Sequence, residues 1–186
     1  MSNVSPTFPT ITIDLGLDRQ TFKDVLTGVL HSILFHRLFG LIRPQVFEVL
    51  DITMPGVDDP GMEHLIQDKV DTFWRAIQTD TDRRGQIVVT FSMKGPKKSW
   101  YQLYQVEEDI PWEQWIINTE LRQYRTDQDR QMFYTNLTTA LTKSIQTMLS
   151  HTSSERGRTA VPPITQSTGI SPFPFKITVK VGGEDL

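Results

Sequence analysis

The residues of this chain that could do acid–base or metal chemistry are four histidines and two short acidic runs. His31 and His36 fall in one helical pattern, where a five-residue spacing turns them roughly 140° apart around the axis. An intact helix therefore cannot aim both rings at one metal ion. The three adjacent carboxylates of residues 107–109 have no histidine or lysine beside them, and the Asp58–Asp59 pair lacks the ligand periodicity of a calcium loop. These patterns predict polar positions beside the apolar stripe for the two histidines and solvated loop charges for the carboxylates, rather than a catalytic or metal centre.

The catalytic signatures that a sequence can reveal are absent from this one. It contains no G-x-G-x-x-G, Walker loop, G-x-S-x-G or H-E-x-x-H. It also has no cysteine, which excludes disulfides, thiol catalysis and cysteine-ligated zinc. We therefore predict that the chain is not an enzyme and uses no cofactor. A small hydrolase that works through Glu107, Glu108 or a histidine is the catalytic alternative.

Composition favours one globular domain over residues 1–186, with 38% hydrophobic and 22% charged residues. The net charge of −3 and the scattered Lys and Arg oppose a nucleic-acid partner, which would favour a basic face. No apolar run approaches the ~18 residues of a membrane span. The N-terminus lacks the basic and then apolar layout of a signal peptide. We expect a cytoplasmic protein without a membrane span.

Hydrophobic periodicity predicts the elements that must position any functional residue. An i, i+3, i+4, i+7 pattern indicates three helices, within residues 18–40, 61–78 and 126–151. Alternating or continuous apolar runs indicate strand segments, at residues 10–15, 45–54 (a strand or a hairpin), 86–94, 112–124 and 175–181.

The order of these elements predicts the fold class. Neighbouring strands are often joined without a helix, which favours an α+β domain whose helices pack on one face of a mainly antiparallel sheet. The near-continuous apolar run of residues 86–94 favours a central place in that sheet. Three stretches are expected to be irregular: a flexible N-terminus (1–9), a loop with two Pro-Gly pairs (54–62) and a long Ser/Thr/Pro-rich loop (151–174).

An aromatic stretch, "KKSWYQLYQVEEDIPWEQW" at residues 97–115, contains three of the four tryptophans. Trp112 and Trp115 are expected in the core, on opposite faces of a strand if its pairing is regular. Trp100 follows a polar, turn-forming lead-in and is expected to be partly exposed. An exposed tryptophan is an efficient anchor in a protein interface. The acidic residues of the stretch are expected in a solvated loop.

Three segments together resemble the autophagy-related protein 101 family. They are "VLHSILFHR" at residues 29–37, "IPWEQW" at residues 110–115 and "PFPFKITVKV" at residues 172–181. The Ile-Pro-Trp-Glu-x-Trp motif is the most specific of the three. Because the segments occur in the family's order, the resemblance covers most of the chain from Ile11 to Val181.

The resemblance implies a HORMA domain, with three helices on a mainly antiparallel sheet and a C-terminal safety-belt region that includes residues 151–174. It implies a non-catalytic scaffold in the complex of the autophagy-initiating Ser/Thr kinase, at the phagophore assembly site. The implied partner is the HORMA domain of autophagy-related protein 13. A different HORMA adaptor, of the checkpoint or DNA-repair type that captures a peptide with its belt, is the alternative.

Candidate binding residues follow from the resemblance and from the residue pattern together. His36 and Arg37 end the first-helix signature and could contact the partner, with capping of helix carbonyls as the alternative. Trp100 and Tyr101 occupy the place of the family's exposed aromatic finger, although this chain lacks the Trp-Pro-Phe order and has a longer spacer before Ile110. The uncharged side of the third helix carries Thr135, Thr138 and Thr142. These threonines could pack against another protein or be solvated.

Overall fold

The computed structural model describes residues 7–96, 107–165 and 169–186 of the chain. Within these ranges the elements follow in the order β1 (Thr10–Leu17), α1 (Phe22–Arg37), β2 (Pro44–Val49), β3 (Ile52–Val57), α2 (Pro60–Thr79), β4 (Arg84–Pro96), β5 (Glu107–Leu121), α3 (Asp127–Ser153), α4 (Glu155–Thr159), β6 (Phe175–Val181) and β7 (Glu184–Asp185). None of the helices in the described ranges combines the length and the apolar character that crossing a bilayer requires.

The main sheet has the strand order β1-β5-β4-β6-β7. β1 and β5 are parallel, whereas the other three neighbouring pairs are antiparallel. This arrangement confirms the predicted α+β class with a mainly antiparallel sheet. It also confirms that the apolar β4 lies in the interior of the sheet, where both of its edges are paired.

One face of the main sheet carries the core, because strand pairing aligns apolar residues of neighbouring strands. Ile13 pairs with Ile117, Ile117 with Ile87, and Ile87 with Val179. All four side chains are buried. The alternation predicted for the first and last long strands is therefore confirmed, since their apolar positions face the core.

Helix α1 is buried on nearly all sides. Its apolar stripe is fully buried as predicted, and its opposite side is covered by the β2–β3 hairpin, a separate two-stranded sheet. Gly28 lies against Met54, and Ser32 Oγ donates a 2.8 Å hydrogen bond to the Pro55 carbonyl oxygen. α1 therefore packs against α2, α3 and the hairpin at once.

The predicted loop at residues 54–62 is wrong except at residues 58–59. Residues 45–54 form the hairpin alternative instead, because Leu50 and Asp51 take left-handed backbone angles (φ 50° and 62°) and reverse the chain. The first Pro-Gly pair then continues β3, and the second begins α2. Asp59 caps that helix by accepting a 2.8 Å hydrogen bond from Met62 N–H.

Two further loop predictions are wrong in part. Residues 107–109 belong to strand β5, although their side chains remain exposed, and Asp109 pairs with Lys94 at 2.7 Å. The long loop predicted from residue 151 begins as helix, because α3 runs to Ser153 and α4 follows. Ser154 starts α4 by accepting a 3.0 Å hydrogen bond from Gly157 N–H.

A β-bulge places Trp112 and Trp115 on the same side of the sheet. Phe91 pairs with Glu113, whereas the next residue of β4 pairs with Pro111, so Trp112 is the extra residue. Both tryptophans are buried as expected. The opposite faces expected for a regular pairing do not arise, because the bulge interrupts that pairing.

We predict that the buried His31 makes the fold sensitive to acid. The His31 side chain is fully buried, Val57 N–H donates to its Nδ1 at 3.4 Å, and burial lowers its pKa from about 6.5 to about 4. The unfolded chain therefore binds a proton that the folded chain excludes between these values, so stability falls as the pH falls through that window. The free energy of unfolding should drop by ~2 kcal/mol between pH 7.5 and pH 5.

Urea denaturation at the two pH values measures this drop. His31→Asn keeps an acceptor for Val57 N–H but does not titrate, so most of the pH dependence should disappear. The control His64→Gln changes an exposed histidine and should keep the pH dependence of the wild type. An equal pH dependence in the wild type and in His31→Asn would contradict the assignment.

Candidate functional site

The Ile-Pro-Trp-Glu-x-Trp motif lies in β5 and brings a carboxylate into the core. Glu113 is fully buried, because it lies two residues before Trp115 on the core face of β5, and the bulge places Trp112 beside it. Its oxygens accept hydrogen bonds from Arg37 Nε (2.7 Å) and Nη2 (2.6 Å), and from Trp115 Nε1 (2.6 Å). His151 Nε2 lies 2.8 Å from the same carboxylate. A buried charge is tolerated when it is paired and hydrogen-bonded in this way.

Arg37 is an interior residue in this structure. Its side chain makes a bidentate pair with Glu113, and Nη2 also donates a 3.0 Å hydrogen bond to the Gly157 carbonyl oxygen. The guanidinium carbon lies 5.7 Å from the centre of the Trp112 ring. With only 2% of its surface exposed, Arg37 does not present its charge at the surface. It joins the end of α1 to β5 and α4.

The motif also holds both ends of segment 151–174. At the start, His151 contacts Glu113, and Gly157 lies so close to the His151 carbonyl that a Cβ would collide with it. At the end, the Phe173 ring packs 5.5 Å from the Trp112 ring. The Gly40 and Leu41 N–H groups add 3.1 Å hydrogen bonds to the carbonyls of residues 169–170.

His36 reaches the surface, unlike its neighbour. Its Nδ1 donates a 2.7 Å hydrogen bond to the Ser32 carbonyl, and the ring is half-buried. It borders a groove between the ends of α1 and α3 and the chain after α4. Two exposed apolar side chains line this groove, Leu149 (52% exposed) and Ile164 (48%). The Ser32 carbonyl lies inside α1, so this hydrogen bond is not a C-terminal cap, and the partner contact of His36 stays a prediction.

The threonine side of α3 is uncharged and partly apolar. Thr135 and Thr142 are exposed, and Thr138 is half-buried. The hydroxyls of Thr135 and Thr142 donate 3.0 Å hydrogen bonds to the carbonyls of Gln131 and Thr138, four residues earlier. These donors are already satisfied, so the surface offers methyl groups rather than free hydroxyls. We call residues 135, 138, 139 and 142 the threonine face.

A cleft of about 700 Å³ separates the threonine face from the turn of the β2–β3 hairpin. Leu50 and Asp51 line its hairpin side, and Tyr134 and Thr138 line its helix side. Sequence reasoning missed the contribution of the hairpin, because residues 45–54 were open to a single-strand interpretation. Along α3, Thr135 and Leu149 lie about 21 Å apart. The threonine face and the His36 groove are therefore separate surfaces.

The buried Asp18 fixes the first turns of α3. It accepts hydrogen bonds from Thr21 N–H (2.8 Å) and from the hydroxyls of Tyr124 (3.1 Å) and Tyr134 (3.2 Å). Burial by itself would raise the pKa of Asp18, but these hydrogen bonds outweigh it and lower the pKa below its usual value. Burial, together with Tyr124 and Asp18, raises the pKa of Tyr134 to about 12. A lone aspartate between two elements gave no sequence signal for this role.

Two of the predicted site residues cannot be placed. Trp100 and Tyr101 lie outside the described residues, so the aromatic finger stays a prediction. Glu113 was missed as a key residue, although its position could have shown it. Residues two apart in a strand share a face, so a glutamate two residues before a core tryptophan was bound to need a buried partner.

We predict that removing the charge of Glu113 damages the fold severely. Glu113→Gln keeps the side-chain shape but leaves Arg37 buried without a counter-ion, which should lower the free energy of unfolding by ~3–5 kcal/mol. The double variant with Arg37→Met should lose less free energy of unfolding than the sum of the losses in the two single variants, because both partners are then removed together.

Chemical denaturation followed by circular dichroism measures these differences. Glu120→Gln is the control, since Glu120 pairs at the surface with Arg84 and Arg122. It should stay within ~0.5 kcal/mol of the wild type. Additive losses for Glu113→Gln and Arg37→Met would contradict a coupled pair.

Comparisons with known proteins agree with the resemblance. The model of the family described as Autophagy-related protein 101 matches residues 14–168. Autophagy-related protein 101 of Schizosaccharomyces pombe (strain 972 / ATCC 24843) is 33% identical over 112 residues, which cover 60% of this chain and 59% of that protein. The protein of the same name from Arabidopsis thaliana is 32% identical over 113 residues, which cover 59% of this chain and 51% of that protein.

The matched part of this chain thus spans between half and three fifths of the length of these curated relatives. The family model covers much more, since it includes the first-helix signature, the Ile-Pro-Trp-Glu-x-Trp motif and the threonine face. On this evidence the chain belongs to the autophagy-related protein 101 family.

Proposed function

We propose that this chain is a non-catalytic scaffold of the autophagy-initiation kinase complex. In this proposal it has a HORMA fold, pairs with the HORMA domain of autophagy-related protein 13, stabilises that domain and helps to recruit downstream autophagy factors at the phagophore assembly site. Its family membership supports an autophagy-related role. The empty catalytic inventory of the sequence supports a role in binding.

The observation that carries the proposal is the threonine face with the cleft beside it. Most solvated helix surfaces carry charges, whereas this one is uncharged, and the hydroxyls of Thr135, Thr139 and Thr142 are already bonded to helix carbonyls. Charged residues are depleted in the centre of protein interfaces, and methyl-rich surfaces suit close packing. Asp127 and Arg130 stand at the rim of the cleft, which is the usual place for charges in an interface. We therefore assign the partner contact to Thr135, Thr138 and Thr142.

The remaining binding residues have unequal parts in this proposal. His36 offers a second contact through the groove that it borders. Arg37 acts from the interior, because it holds the end of α1 against β5 and α4. The double anchoring of segment 151–174 supports a belt region that stays docked on the domain, and it disfavours the alternative in which the belt opens to capture a peptide.

We predict that Thr138→Arg weakens pairing and leaves the fold intact. A buried unpaired guanidinium in the interface should weaken the complex with the autophagy-related protein 13 HORMA domain at least about tenfold. Thr138 is half-buried beside an open cleft, so the free chain has room for the longer side chain and should keep its thermal midpoint.

Gel filtration at micromolar concentrations and titration calorimetry measure the pairing. The matched control is Asn136→Arg, which adds the same charge to the same helix about 160° around the axis. It should bind like the wild type. Failure of the wild-type chains to associate would overturn the proposed function, and normal pairing by Thr138→Arg would move the interface elsewhere.

We also predict separate roles for the finger and for the threonine face. Trp100→Ala should keep the pairing with the autophagy-related protein 13 domain and lose downstream autophagy factors in a pull-down. Tyr101→Ala should have a similar but weaker effect. Loss of folding in Trp100→Ala, seen as a lower thermal midpoint, would instead assign this tryptophan to the core.

A further inference from the structure

A small basic notch lies where three loops meet at one end of the main sheet. It has a volume of about 170 Å³ and is lined by Arg19, Trp74, Gln78, Arg83, Leu121, Arg122 and Gln123. Arg19 comes from the β1–α1 loop, Arg83 from the α2–β4 loop and Arg122 from the chain after β5. Three of these lining residues are arginines and none is acidic, and Arg122 also lines the neighbouring cleft that contains Asp80, Asp82 and Glu120. None of them lines the threonine-face cleft.

Two of the three arginines are held in place by their neighbours. The guanidinium carbon of Arg19 lies 6.0 Å from the centre of the Trp74 ring, within the range of a cation–π contact. Arg122 Nη2 donates a 3.2 Å hydrogen bond to Glu120. The Arg122 side chain also lies against Gly16, since a Cβ atom added to Gly16 would be 2.8 Å from Arg122 Nε. Their remaining N–H donors are therefore presented with little loss of side-chain freedom on binding.

The third arginine stands on a strained backbone. Arg83 has a φ of 52°, in the left-handed region that glycine and asparagine adopt more easily. Its carbonyl accepts a 2.8 Å hydrogen bond from Leu121 N–H, so the loop requires this conformation. A glycine would satisfy the same backbone at lower cost. An arginine at such a position points to a use for its side chain.

Held guanidinium groups are matched to one class of ligand. Their planar forks bind the oxygens of phosphate groups in pairs of hydrogen bonds, with charge assistance. A volume of about 170 Å³ is smaller than the sites of drug-sized ligands and suits a single phosphate group. We propose that the basic notch binds a phosphorylated serine or threonine side chain of a partner protein.

The surroundings of the notch favour a peptide over a lipid surface. Asp80 and Asp82 precede Arg83 on the same loop, and Glu120 lies next to Arg122. A flat anionic bilayer would meet these carboxylates and be repelled by them. A phosphate at the tip of one side chain that enters the notch approaches mainly Glu120, whose charge Arg84 and Arg122 already balance. Recognition of single phosphorylated residues therefore fits the charge distribution better than a lipid surface does.

The test uses the full chain and two probes, N-acetyl-O-phosphoserine amide and its unphosphorylated form, in NMR titrations. Saturable shifts are expected with the phosphorylated probe alone, at the Trp74 indole N–H and at the amides of residues 19, 83 and 122. Arg19→Gln and Arg122→Gln should each weaken binding about tenfold, the usual effect of losing a charged hydrogen bond. Arg43→Gln, an exposed arginine outside the notch, should change nothing.

Arg83→Gly separates binding from folding. It should weaken binding about tenfold while raising the thermal midpoint, because it removes the guanidinium and the backbone strain together. Binding that is not saturable, or that survives all three substitutions, would overturn the proposal. A final experiment measures binding of the chain to vesicles of phosphatidylcholine with phosphatidylserine or a phosphoinositide. Tighter, arginine-dependent binding to them than to the phosphorylated probe would assign the notch to a lipid headgroup instead.

Discussion

The carboxylate of Glu113 is the constraint on which the arrangement of this domain depends. A fully buried negative charge is costly unless donors surround it, and here the donors come from α1, from β5 itself and from α3. Arg37 extends the network to α4 through the Gly157 carbonyl. A hydrogen bond tolerates only small changes in distance and angle. The carboxylate therefore fixes the relative positions of α1, β5, α3 and α4 more tightly than apolar packing alone would.

The β-bulge adds Trp112 to this network and gives the Ile-Pro-Trp-Glu-x-Trp motif a physical meaning. In a regular strand, Trp112 and Glu113 would point to opposite faces. Glu113 keeps the core face that it shares with Trp115, and the extra residue turns Trp112 to the same side. Glu113 then contacts the beginning of segment 151–174, and Trp112 packs against its end. Pro111 stands at the bulge, where its missing N–H does least harm to the ladder. A segment that composition alone would describe as a loose loop is thereby attached at two points.

The same logic extends to the surface assigned to the partner. α3 is fixed near its C-terminus by the contact of His151 with Glu113, and near its N-terminus by the hydrogen bond of Tyr134 to Asp18. Between these two points lies the threonine face, where the hydroxyls of Thr135, Thr139 and Thr142 donate to carbonyls of their own helix. A surface held at both ends loses little freedom when it binds, which favours a stable complex. The basic notch is built from different loops, so both surfaces could be occupied at the same time.

The sequence by itself determined the α+β class, the three long helices, the central place of β4 and the last long strand, because these depend on local hydrophobic periodicity. Its motifs also identified the family. Only the tertiary structure decided the hairpin at residues 44–57, the helix after Ser154 and the shared side of Trp112 and Trp115. It also moved Arg37 from the expected surface to the interior. Each of these depends on a left-handed turn, a bulge or a partner far along the chain, and periodicity carries no information about such long-range pairing.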